Sequence, residues 1–153
     1  CVALLAQNKN AIALLPQPFV TTAQMKDDTI RVALDLNELW EQSENSGALI
    51  TGALVVRPAF AEEHKDALDT FLSEYKTSVD FVNANTDEAA QLVEKYGIVT
   101  AAVAQKALPE CHIVYIDGAE MKEKLSGYLK VLFEQNEKAV GTKLPDDAFY
   151  YQK

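Results

Sequence analysis

Apolar positions follow two patterns along this chain. Up to about residue 56 they come in short uninterrupted or alternating runs; from Pro58 onward they recur every three or four residues. Residues 2–7 combine apolar side chains with good helix formers and read as the end of a helix. Asn8-Lys9-Asn10 is a turn signal. Residues 11–15 form a strand-length apolar run of the kind buried on both faces of a sheet. A helix is expected from Pro18 to about Lys26, stopped by Asp27-Asp28. Residues 30–36 alternate and read as a strand; residues 37–41 read as a short turn holding Trp40. "SENSG", residues 43–47, is the clearest loop, and residues 48–56 follow as a β-prone run. Gly52 inside that run predicts a bend or a close backbone approach.

The second pattern is helical. Leu68, Phe71, Leu72, Tyr75, Val79 and Val82 fall on one face with charges opposite. Thr86 is placed to cap the next helix, with Asp87 and Glu88 in its first turn and Gly97 to end it. Thr100 opens a short helix that stops before Pro109, and residues 112–116 are a last candidate strand. Met121, Leu125, Tyr128, Leu129, Leu132 and Phe133 mark a final amphipathic helix. The tail "GTKLPDDAFYY" carries three aromatics and is expected to dock on the core. Together these elements predict an α/β fold: a mixed, mostly parallel sheet with covering helices and a helix-rich C-terminal half. The strand count is low for a closed three-layer domain.

At 153 residues the length is that of one domain, and 48% hydrophobic residues mark it as globular. Charge narrows the partners. Asp plus Glu number 23 against 14 Lys plus Arg, a formal −9, which repels phosphate backbones and argues against nucleic acid. No apolar run approaches the roughly 20 residues of a membrane span, and no basic region of a signal peptide opens the sequence.

Catalytic patterns are missing. Cys1 and Cys111 are far apart, without CxxC or a histidine spaced to share a metal; they read as two thiols without a joint role, rather than a disulfide. A lipid-bearing Cys1 is the other reading considered, although "VALLAQ" is no polar tether. His64 sits in an exposed helix start, and His112 beside Cys111 would point to the opposite face of a strand. The pairs Asp27-Asp28, Glu62-Glu63 and Asp146-Asp147 read as solvated turn residues. No catalytic residue, metal ligand or cofactor is assigned. "LPQPF" is different: an apolar run enters a helix start, whose backbone N–H groups can hold a polar ligand. Gln17 brings a donor and an acceptor, and Phe19 a face for stacking. A core-packing Phe after a rigid turn is the equal alternative.

Four motifs tip that balance. "AIALLPQPFVTTAQ" resembles a segment of extracytoplasmic solute-binding proteins of ABC transporters, in the nitrate/sulfonate/thiamine-pyrimidine group. "TGALVVRPAFAEEHKDALDTFLSEYKTSVDFVNAN" is similar to that group's return strand and long helix. "TDEAAQLVEKYGI" resembles its next helix, and "GTKLPDDAFYY" a terminal motif of some bacterial members. The resemblance implies the C-terminal portion of a type II periplasmic-binding fold. Residues 1–45 would end the second α/β lobe, and 46–153 would supply the return strand and the C-terminal part of the first. The remainder of both lobes would precede Cys1.

It further implies capture of a small-molecule solute, docking on ABC permease subunits, and an extracytoplasmic place, periplasmic or as a surface lipoprotein. Gln17, Pro18, Phe19 and, more weakly, Thr21 are the implied cleft residues, while Trp40 is assigned to packing. Where the group commonly has Glu, this chain has Gln17, which disfavours a cationic ligand. Half of a two-lobed protein would also leave apolar edges uncovered, so self-association is expected. An enzyme on the same scaffold is the rival; it resembles a cysteine-rich, iron-dependent design, and this chain has no cysteine cluster. A stand-alone regulatory domain is the third reading.

Overall fold

The computed structural model describes residues 2–8, 10–43 and 47–152. Eight α-helices occur among them: α1 (Val2–Gln7), α2 (Phe19–Lys26), α3 (Leu36–Glu41), α4 (Pro58–Glu63), α5 (Lys65–Ala84), α6 (Thr86–Lys95), α7 (Ala101–Ala107) and α8 (Gly118–Gln135). Short 3₁₀ turns cover Leu108–Cys111, Glu137–Val140 and Asp147–Phe149.

The expected α/β class is corrected: no strand or sheet forms among the described residues. The runs at 11–15, 30–34, 48–56 and 113–116 are non-helical, and each lies without a ladder. A strand exists only when a neighbour takes its N–H and C=O groups. Within residues 48–56 no backbone group bonds to another backbone group of the described chain. Alternating apolar residues describe a backbone habit; pairing is a separate requirement.

Other boundaries have local causes. Residues 37–41 belong to a helix, not a turn, because Asp35 caps α3: its Oδ1 accepts the N–H of Asn37 at 2.8 Å and of Glu38 at 3.4 Å. Thr86 is the first helical residue of α6 and Asn85 its N-cap. Gly97, at φ +73°, does end α6. Its N–H bonds Glu94 O at 2.9 Å and that of Ile98 bonds Val93 O at 3.1 Å, the paired bonds of a left-handed helix stop. Gly52 makes no close approach, since a Cβ there would meet nothing within 4 Å. The centre of the 43–47 loop, and Cys1, lie outside the described residues.

The chain divides into two compact units. One combines the residues up to Ala33 with Leu72–Tyr115. Here α7 packs against both α6 and α2, and α2 against α1. The buried apolar residues of α2, α6 and α7 are alanines: Ala23 in α2, Ala89 and Ala90 in α6, Ala104 and Ala107 in α7. Small side chains bring helix backbones close and leave little room for change. Asn83 Nδ2 donates to Ile113 O at 2.9 Å, holding the extended 113–116 segment to the end of α5.

The other unit combines Leu34–Phe71 with residues from Ile116 onward, and is organised on α8. Trp40 packs on Tyr128, ring centres 5.5 Å apart, and its Nε1 donates to Gly47 O at 3.3 Å. The tail docks as its aromatics predict. Tyr150 is 6% exposed, Tyr151 donates its hydroxyl to Asp69 Oδ1 at 3.2 Å, and Lys122 pairs with Asp147 at 2.8 Å.

Candidate functional site

Pro18, the N-cap of α2, offers no side-chain acceptor; Pro16 O accepts the N–H of Phe19 at 2.9 Å and of Val20 at 3.3 Å, so the Thr21 N–H needs another partner. Gln17 supplies it from one residue further out. Its Oε1 accepts the N–H of Thr21 at 3.3 Å and the Thr21 hydroxyl at 2.9 Å. The Gln17–Pro18 peptide is cis. This answers half of the question that "LPQPF" poses: the turn is a helix cap, and the acceptor of Gln17 is consumed in making it. The amide nitrogen of Gln17 has no partner among the described residues.

Gln17 borders a concavity of about 430 Å³ in the first unit. Gln17, Val20, Thr21, Gln24 and Met25 line it from α2 and its entry, and Val32 from the extended segment beyond. Lys106, in the last turn of α7, and Glu110, in the 3₁₀ turn after it, close the far wall. Thr21 is buried at 6% exposure, and Gln24 Nε2 donates to Ile30 O at 3.4 Å. The volume falls in the range of small-ligand pockets.

Of the four residues implied by the resemblance, Gln17 and Thr21 line this concavity and Pro18 and Phe19 do not. Phe19 is 52% exposed. Lys106 and Glu110 lie far along the sequence, and no motif marks them. Gln24 could have been found, because positions 17, 21 and 24 fall on one helix face.

The remaining chemistry-bearing groups hold structural posts. Asp27 Oδ1 accepts the Thr29 hydroxyl at 2.6 Å, and Asp146 Oδ1 accepts the Ala148 N–H at 3.1 Å. His64 packs at a tilt against Phe60 with ring centres 4.9 Å apart, and His112 occupies a left-handed turn at φ 49°. Cys111 is a free, half-buried thiol whose pKa is raised by burial and, secondarily, by the Glu110 charge. No group of three His, Cys, Asp or Glu among the described residues could hold a metal ion, and no helix is long and apolar enough to cross a membrane. In the second unit Leu36, Leu39, Trp40, Ser43 and Leu49 line a more apolar concavity of about 330 Å³.

No family model matches the chain, and no curated protein matches it. Among solved structures it is similar to an ABC transporter from Parabacteroides distasonis, with a TM-score of 0.81 at 27% identity. The match covers 99% of this chain and 52% of that one, so the chain spans about half the length of its structural neighbour. The fold is therefore ABC-transporter-related.

Proposed function

We propose that this chain is part of a solute-binding protein that captures a small organic solute for an ABC importer. The likeness to an ABC transporter across 99% of the chain carries the reading. The concavity at Gln17 and Thr21 supplies a place for the solute, with polar and apolar side chains in its lining. On this reading the protein is a binder and not an enzyme. Its place is extracytoplasmic, in the periplasm or as a surface lipoprotein, and its protein partners are the permease subunits.

Self-association belongs to the same proposal. Ile12 is 98% exposed and Val55 79% exposed, each within a non-helical apolar segment that has no ladder. Such segments are templates for pairing with another chain, and a second copy offers the same edges.

The test is a ligand-observed NMR screen of the 153-residue chain against millimolar panels of organic anions, cations and zwitterions. Binding that weakens in Gln17→Ala supports the reading. A panel without a binder, or binders indifferent to Gln17, overturns it.

A further inference from the structure

Lys106 and Glu110 stand four residues apart on one wall of the concavity, yet neither forms an ion pair among the described residues. Surface Lys–Glu pairs at this spacing do close elsewhere in the chain: Lys130 and Glu134 approach to 3.9 Å. The α-helix ends at Ala107 and a 3₁₀ turn begins at Leu108, so Lys106 and Glu110 do not share one regular helix as Lys130 and Glu134 do. Both therefore remain available to an occupant.

We infer that the solute this concavity takes is a zwitterion with a short apolar body, a conclusion that rests on the solute-binding reading above. Lys106, with the open amide of Gln17, presents cationic and N–H donors to an anionic group. Glu110 presents a carboxylate acceptor to a cationic one. Val20, Met25 and Val32 supply the apolar part of the lining. A purely anionic solute would meet the Glu110 carboxylate and the field of a chain with formal charge −9. A purely cationic one would meet Lys106 at the same wall. Only a ligand carrying both signs satisfies both residues.

Matched probes separate these cases. Leucine, methionine and phenylalanine are each compared with their amides, which keep only the cation, and their N-acetyl forms, which keep only the anion. Binding is followed in ¹H–¹⁵N spectra of the 153-residue chain, reading the backbone amides of Thr21, Gln24 and Lys106. The expected result is shifts at those amides with at least one free amino acid, and at least tenfold weaker binding of its two derivatives. Lys106→Met and Glu110→Gln should each weaken the amino acid about tenfold; both sites are exposed, so folding is retained. A derivative binding at these amides as well as its parent overturns the zwitterion inference and leaves the solute reading standing. No shift at these amides with any probe overturns both.

Discussion

The Thr21 hydroxyl lies 2.9 Å from Gln17 Oε1, and the Thr21 N–H shares the same oxygen. One glutamine thus caps α2 and borders the concavity. The pair should be coupled in stability. Thr21→Val buries an apolar group where the hydroxyl was and strips Gln17 Oε1 of its better bond, at a cost of about 1 kcal/mol. Gln17→Ala removes the whole cap and should cost about 1–2 kcal/mol. Urea denaturation of both single variants and the double variant checks this. The double loss should fall short of the sum of the singles, and strict additivity would remove the capping account.

Gly47 and Gly52 make a second contrast. Gly47 sits at φ +81°, and a Cβ there would lie 2.5 Å from Lys124 O and 2.9 Å from Tyr128 N, against the backbone of α8. Gly47→Ala therefore combines a left-handed conformation with a clash that no side-chain movement relieves, and should cost more than about 2 kcal/mol. It should also disturb Trp40, whose Nε1 donates to Gly47 O. Gly52→Ala meets open space and should stay within about 0.5 kcal/mol of the parent. Thermal melts followed by tryptophan fluorescence distinguish the two, Trp40 being the chain's one tryptophan. Equal effects would contradict this geometry.

How far the sequence reveals these features depends on how local their causes are. The helical stripe of α5 and the Gly97 stop of α6 are written within one or two turns, and both form where periodicity places them. The Asp35-x-x-Glu38 spacing is a capping signature in plain view, although residues 37–41 read as a short turn when taken without it. The sheet failed for a different reason. Pairing depends on a second segment at the right distance, which residues 11–15 or 48–56 do not encode in themselves. The cavity wall at Lys106 and Glu110 was invisible on the same ground, since α2 and α7 meet only through tertiary packing.

The exposed extended segments lead to a prediction about solution state. The parent chain should be a dimer or larger by light scattering at tens of micromolar. Ile12→Lys and Val55→Lys add charge at positions already in water, so each should leave the melting temperature within a few degrees. Together they should shift the mass toward the monomer, because an edge lysine opposes pairing. A parent chain that is monomeric at that concentration would remove self-association from the proposal.

Alkaline pH tests the docking of the tail. Burial raises the Tyr150 pKa, with Lys122 lowering it and Asp147 raising it further. Burial also raises Tyr151, helped by its hydrogen bond to Asp69. Both phenols hold their protons more tightly in the folded chain than in the unfolded one. Their contribution to stability is therefore complete below the ordinary tyrosine value of about 10 and is lost as pH rises through the folded values. Urea midpoints measured from pH 8 to 11 should fall at the upper end in the parent. Tyr151→Phe loses the bond to Asp69 and should be less stable at pH 8, while its midpoint declines less steeply above pH 10. A variant whose decline parallels the parent's throughout would mean that the Tyr151 hydroxyl does not hold the tail, whatever its distance from Asp69.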